Sequence, residues 1–215
     1  MDERTKFQMK IISLLLQYPD DGFIRSLPLM ETGIEGLPNS FAGDKLAQFI
    51  FYLRATPLLR LQEIYTETFD LNPSTCLNLS YHLFGDSEKR GNVMACLQQI
   101  YHEAGYETIT GELPDYLPLM MEFLSECPES GGAGMVWSYL ESIEKPAALL
   151  KDSVNPYSLL LDVVVDIVRT QCPRESPMEE GRAQKSEGRG RKIEIRKEKI
   201  GKRDPDGRGK KVRRK

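Results

Sequence analysis

Apolar residues along this chain return mostly at spacings of three and four, the period of helices that bury one face. Phe7, Ile11, Leu14, Leu15 and Tyr18 form the first such stripe, and Pro19 closes it. Residues 20–39 hold Pro28, Gly33, Gly36 and Pro38, which predicts a connector interrupted by at most a short helix. A helix over 41–54 places Leu46, Phe49, Ile50 and Leu53 on one side. Thr56-Pro57 then reads as an N-cap followed by proline at the first helical position. The helix it opens carries Leu58, Leu61, Ile64, Tyr65, Thr68 and Phe69, and Asp70-Leu71-Asn72-Pro73 ends it.

A short helix over 76–84 leads to Gly85-Asp86, and Val93, Leu97, Ile100, Tyr101 and Ala104 mark another that Gly105 stops. The stretch Gly111 to Leu124 joins an acidic, proline-bearing loop to an apolar helix start. Asp115 is placed to cap that helix, Pro118 to sit just inside it, and Leu119, Phe123 and the pair Met120-Met121 to give it an apolar side. Past Gly131-Gly132 comes a helix with Met135, Trp137, Leu140 and Ile143. Asn155-Pro156 opens the last one, through Leu159, Leu160, Val163, Val164 and Ile167. Val163-Val164-Val165 is strand-like taken alone, but its pattern persists over more than ten residues without a turn signal, which predicts a buried helix. No period-two alternation is convincing anywhere. The expectation is an all-α fold, a compact helical domain of about seven to nine helices.

Charge divides the chain. Residues 173–215 hold 17 Lys and Arg against 8 Asp and Glu, a net of +9, whereas residues 1–172 hold 12 against 24, a net of −12. The first region is rich in Leu, Ile, Phe, Tyr and Met, and is expected to be the folded domain. The second is rich in Gly, Arg and Lys, too poor in apolar surface to offset its ordering entropy, and is expected to be a disordered basic tail. Cys76, Cys96, Cys127 and Cys172 are far apart, and the only histidines are His82 and His102. Paired metal-ligand spacing is missing, so the cysteines read as small buried hydrophobes in a reducing compartment and no metal site is expected. Met1 to Lys10 is charged and the run Ile11 to Leu16 is too short for a secretory signal. The longest apolar stretch, Leu159 to Val168, is interrupted by Asp162 and Asp166 and falls short of a membrane span. A soluble, cytoplasmic protein without a transmembrane segment is expected.

Little here points to catalysis. No phosphate loop, dinucleotide fingerprint or G-x-S-x-G elbow occurs. Gly131-Gly132-Ala133-Gly134 follows no strand and reads as a connector. Glu112, Asp115 and Glu122 are an acid/base set only in principle, having no nucleophile or metal beside them. His82 reads as a half-buried helix histidine.

Three segments in series resemble one known family. Leu61-Gln62-Glu63-Ile64-Tyr65-Thr66-Glu67-Thr68-Phe69-Asp70 has its L-x-x-x-Y-x-x-x-F-D pattern. Tyr81-His82-Leu83-Phe84-Gly85-Asp86 with Lys89-Arg90-Gly91 has its Y-H-x-x-G-D…R-G segment. Glu112-Leu113-Pro114-Asp115-Tyr116-Leu117-Pro118 with Glu122-Phe123-Leu124 has its E-L-P-D-Y-L-P…E-F-L stretch. Tyr101 to Tyr106 falls between the second and third in the family's order. On these motifs the chain resembles the respiratory nitrate reductase delta subunits, the molybdenum-cofactor assembly chaperones within the redox-enzyme maturation chaperones. The likeness runs from about residue 5 to 170. Tyr116 stands where much of the wider group has histidine in E-x-P-D-H, which favours the nitrate reductase branch, and the basic tail lies outside the resemblance.

The resemblance implies an all-helical chaperone without catalysis of its own. It would bind the N-terminal segment of the apo catalytic (alpha) subunit of nitrate reductase and assist insertion of molybdopterin guanine dinucleotide before membrane docking, holding no cofactor stably itself. Residues expected to touch the client are Tyr65, Phe69, Asp70, Tyr81, His82, Arg90, Glu112, Asp115, Tyr116, Leu117, Met120 and Glu122. The large aromatic and methionine side chains suit a helical face laid in a groove, and the acidic body suits a client bearing Arg or Lys. Arg90 is expected to pair with a carboxylate such as Asp86 or Asp70. The chain is expected to be a monomer or weak dimer. Other readings are a chaperone of a different molybdoenzyme, an enzyme using Glu112 and Asp115, or a nucleic-acid binder acting through its tail, although the aromatics such a platform needs are missing there. Deleting 173–215 separates the chaperone from the nucleic-acid binder. Client binding, measured by calorimetry, is retained in the first case, and nucleic-acid affinity is lost in the second.

Overall fold

Residues Leu117–Glu126 are apolar nearly all round, and a helix of that kind must be enclosed by others. A computed structural model describes residues 1–37, 40–108 and 111–171, and this segment is its central helix. In chain order the helices are α1 (Glu3–Leu15), α2 (Asp21–Glu35), α3 (Phe41–Ala55), α4 (Leu58–Tyr65), α5 (Leu79–Phe84), α6 (Glu88–Glu103), α7 (Leu117–Glu126), α8 (Ala133–Leu140), α9 (Glu144–Asp152) and α10 (Ser158–Gln171). Helix α4 runs on into a π turn, Thr66–Asp70, and α8 and α9 are joined by a single 3-10 turn, Glu141–Ile143. Nine helical rods result among the described residues, and the fold is all-α. Extended pairing there is limited to the antiparallel bridge Asn78–Tyr116. The basic tail expected over 173–215 lies outside the described residues.

Helix α7 packs most extensively against α1, and α10 lies across α1, α3 and α9. The core is drawn from all of them: Met9, Ile12 and Leu15 meet Met120, Met121, Phe123 and Leu124, with Leu160, Leu161, Val163 and Val164, all wholly buried. Caps define the N-termini of the outer helices. The side chains of Asp2, Asp20 and Ser40 accept from the backbone N–H groups of Thr5, Phe23 and Gly43.

Four local expectations are corrected. The segment read as a connector contains the fifteen-residue α2, with Pro28 and Gly33 inside it. The proline costs about 3 kcal/mol. Burial of Phe23, Leu27, Met30 and Ile34 along one stripe is worth roughly 1.5–3 kcal/mol for each side chain and outweighs it. Thr56 does not cap α4; it terminates α3, and its hydroxyl donates to the Tyr52 carbonyl. Asp115 does not cap α7, where Tyr116 is the N-cap residue and makes no side-chain cap bond. The short helix begins at Leu79 rather than 76, because Leu77 and Asn78 are held extended by the loop before α7. Helix α9, which carries Pro146 in its first turn, is an addition to the elements read from the sequence.

Gly33 has a packing role. A Cβ at this position would lie 2.6 Å from Cζ of Phe7 on α1. Gly33→Ala is therefore expected to destabilise the protein in urea denaturation despite a gain of about 1 kcal/mol in helix propensity. In a Phe7→Ala background, where the ring is gone, the same change should stabilise. An unchanged sign would show that the contact does not decide the effect.

Candidate functional site

The end of α1, the α4 π turn, the extended residues Leu77 and Asn78, and the start of α7 enclose a cleft of about 470 Å³. Its position follows from the packing of α1 on α7, which brings Tyr18 and Gln17 opposite Glu112, Tyr116 and Leu119. The π turn supplies the third wall. Leu71 N–H donates to the Thr66 carbonyl, five residues back, at 2.9 Å, and Phe69 and Asp70 come to line the cleft. Single π turns inside helices recur at functional sites. This one is tied down from two sides: Thr75 Oγ1 donates to the Thr68 carbonyl, and Asn155 Nδ2 donates to Thr68 Oγ1 at 2.8 Å.

Aromatic rings line and back the cleft. Tyr65 is buried and makes edge-on contacts with Tyr18 at 5.4 Å, Phe69 at 5.0 Å and Tyr157 at 5.9 Å between centroids. Its hydroxyl lies 3.0 Å from the Leu16 carbonyl and 3.0 Å from Tyr116 Oη. Burial drives the Tyr65 phenol far above the usual tyrosine value, with the neighbouring Tyr116 adding to the rise. Burial also pushes the Tyr116 phenol up to about 12, and the charges of Glu112 and Asp70 add to the rise. Both therefore remain protonated donor-acceptors at neutral pH.

Three carboxylates line the same space. Glu122 is engaged by Lys10 Nζ at 2.7 Å, which also reaches Glu126 at 3.3 Å. Burial alone would lower the Lys10 ammonium, but the bonds and charges of Glu122 and Glu126 outweigh it and hold it above the ordinary lysine value. Asp70 and Glu112 are exposed and have no cationic partner among the described residues.

Behind the cleft lies a second polar group. The Asp115 carboxylate is wholly buried and accepts from Asn78 Nδ2 at 3.0 Å, Ser80 Oγ at 2.5 Å and Arg90 Nη2 at 3.3 Å. Arg90 also faces Asp86 at 3.8 Å, the weaker of its two pairs, and lies 5.5 Å above the Tyr81 ring. Asp70, the other partner considered from sequence, lines the cleft instead. His82 Nε2–H donates to the Cys76 carbonyl at 2.8 Å, and burial pulls its imidazole below the ordinary histidine value, so it is neutral at pH 7.

Of the twelve residues singled out from sequence, the structure gathers Tyr65, Phe69, Asp70, Glu112, Tyr116 and Glu122 in the cleft. Tyr81, His82, Arg90 and Asp115 form or flank the polar group behind it. Leu117 and Met120 are wholly buried core residues, so the adaptable surface expected of them is not at the surface. Tyr18, placed by its spacing in the stripe of the first helix, and Gln17 line the cleft in addition to these. Tyr18 is 46% exposed beside the helix-ending Pro19, and an aromatic so placed was the available signal. A second cleft, of about 420 Å³ between α2 and α3, contains none of the twelve.

The fold places the chain in a known class of helical proteins. It is similar to a solved structure from Archaeoglobus fulgidus described as a redox enzyme maturation protein, with a TM-score of 0.58 and 20% identity over 76% of this chain and 93% of that one; this likeness shows the fold alone. Sequence comparison is more specific. The family model of the nitrate reductase delta subunit matches residues 35–159. The "probable nitrate reductase molybdenum cofactor assembly chaperone NarJ" of Bacillus subtilis (strain 168) is 30% identical over 165 residues, 77% of this chain and 90% of that one. The NarJ chaperone of Escherichia coli (strain K12), named for the same assembly, is also 30% identical over 165 residues, 76% of this chain and 70% of that one. The chain belongs to the nitrate reductase delta subunit family.

Removing the buried carboxylate would leave Arg90, only 18% exposed, without its main partner. Asp115→Ala is expected to cost about 3–5 kcal/mol in chemical denaturation. A loss under about 1 kcal/mol, the range of an exposed pair, would show that the charge is not structurally buried.

Proposed function

We propose that this protein is a chaperone of nitrate reductase assembly that binds the N-terminal segment of the apo catalytic subunit in the cleft between α1, α4 and α7. The observation that carries the reading is the combination of family membership with a cleft lined by two partly exposed aromatic rings, Tyr18 and Tyr116, and two carboxylates without a cationic partner among the described residues. The proposed client lays apolar side chains against Tyr18 and Tyr116. Asp70 and Glu112 at the rim draw its basic residues in, by steering more than by affinity.

The protein performs no turnover in this reading. It holds the client open while molybdopterin guanine dinucleotide, cargo rather than a resident cofactor, is inserted, and it leaves before the enzyme docks on its membrane partner. Among the described residues no helix is long and apolar enough to cross a membrane, and no cluster of three metal-ligating side chains forms. A cytoplasmic setting fits this role. Residues 1–172 are proposed to carry the binding and the basic segment 173–215 to be separate from it.

The test is calorimetric titration of the full chain with the client's N-terminal peptide, of about fifteen residues, enough for four helical turns. Saturable binding at micromolar affinity or tighter is expected, and Tyr18→Ala, which removes an exposed aromatic anchor, should weaken it roughly tenfold. A folded chain that binds neither the peptide nor the intact apo subunit would overturn the assignment.

A further inference from the structure

A proton count fixes the direction of the hydrogen bonds on the cleft floor. Tyr65 Oη is within 3.0 Å of both the Leu16 carbonyl and Tyr116 Oη. A phenol has one proton and a carbonyl has none. Both contacts are hydrogen bonds only if Tyr65 donates to Leu16 and accepts from Tyr116. The reverse order would take the donor from the carbonyl of Leu16, the wholly buried residue that ends α1, where helical carbonyls run out of partners. The Tyr116 proton is thereby committed to Tyr65, and Tyr116, which lines the cleft, keeps lone pairs with which to accept. A hydroxyl that ordinarily gives or takes a hydrogen bond has become an acceptor.

Its surroundings carry the same sign. Asp70 and Glu112 line the cleft with no cationic partner among the described residues, whereas Glu122 is already held by Lys10. The ring of Tyr18, half exposed, lies edge-on to Tyr65 at 5.4 Å and presents apolar surface beside them. An acceptor, two carboxylates and an aromatic ring in one small cleft match a planar cation that donates several hydrogen bonds, which is the chemistry of guanidinium more than of ammonium.

We propose that Tyr116 is a specificity-determining residue of the cleft, its hydroxyl held by Tyr65 as an acceptor for one arginine side chain of the bound client segment. Asp70 and Glu112 meet the charge of that arginine, and Tyr65 acts through Tyr116 as a positioning residue. This rests on the client-segment reading above and adds which chemical group the cleft selects.

The experiment is a cycle on the full chain, using the client's N-terminal peptide and versions in which each basic residue is replaced in turn. Norleucine removes charge and donors; at arginine, citrulline removes the charge and keeps three of the five N–H donors. Tyr116→Phe keeps the ring and removes the acceptor together with the hydrogen bond to Tyr65. It is expected to weaken the parent peptide about tenfold, in the range of a hydrogen bond to a charged group. It should leave unchanged the affinity for the peptide whose critical arginine is norleucine, a non-additivity that a merely structural role would not produce. The citrulline peptide should keep its dependence on Tyr116 and lose its dependence on Asp70→Asn. Glu112→Gln, an exposed change, supplies the same cycle on the charge if Tyr116→Phe does not fold. A parent that binds while Tyr116→Phe weakens all peptides equally, or none, overturns the inference, as does a client segment that binds and contains no basic residue. A parent peptide that does not bind removes the client-segment reading itself, and this inference with it.

Discussion

The Asp115 carboxylate is entirely removed from water, and burying such a charge is unfavourable unless donors surround it. Its three donors come from three places: Asn78 before α5, Ser80 within α5, and Arg90 in the first turn of α6. The backbone around it is pinned as well. Leu79 N–H donates to the Asp115 carbonyl at 3.0 Å, Leu117 N–H to the Leu77 carbonyl at 2.8 Å, and Tyr101 Oη to the Pro114 carbonyl at 2.7 Å. These bonds join segments from 13 to 40 residues apart in sequence and leave the loop before α7 one arrangement that satisfies them all. Tyr116 is the next residue along, so its place in the cleft is inherited from the charge beside it.

The opposite wall is organised by aromatic packing. Tyr157, at the start of α10, contacts Phe49, Tyr65 and Phe69 at centroid distances of 5.1, 5.9 and 4.9 Å. Such pairs contribute about 0.5–1.5 kcal/mol beyond the area they bury. They fix the side of α4 that ends in the π turn, where one extra residue per turn would otherwise leave backbone groups unmatched. Thr68 absorbs that mismatch through Thr75 and Asn155. The cleft is therefore rigid at its floor and charged at its rim, and the two properties come from different parts of the chain.

Helices α1, α3, α6 and α10 were legible because a long apolar stripe is a local signal. Helix α2 was not, because Pro28 and Gly33 are local breakers whereas the burial that overrides them depends on α3 and α1. Its clue was present in the Asp20 cap and in Phe23, Leu27, Met30 and Ile34. Asp115 shows the same limit. An aspartate before an apolar helix reads as a cap, and only the approach of Ser80 and Arg90 turns it into a buried anchor. The residues singled out by the motif resemblance are of three kinds: those lining the cleft, those holding its loop, and those, like Met120, that simply fill the core.

That sorting changes the picture of recognition. In the proposed reading, with Leu117 and Met120 inside, a client does not meet a broad, pliable apolar groove. A space of about 470 Å³ is on the scale of a small-molecule pocket, whereas a stable protein interface buries on the order of 1,600 Å² in total. The cleft is therefore sized for one or two anchoring side chains, and a proposed client would lie otherwise on the surface around it. In such an arrangement discrimination comes from polarity. A residue that leaves Asp70, Glu112 or the Tyr116 acceptor unmatched forfeits an interaction that no neighbouring apolar contact restores. On the proposed reading, selection of one assembly partner depends on where a few hydrogen-bonding groups point, and the buried charge at Asp115 sets the loop that points them.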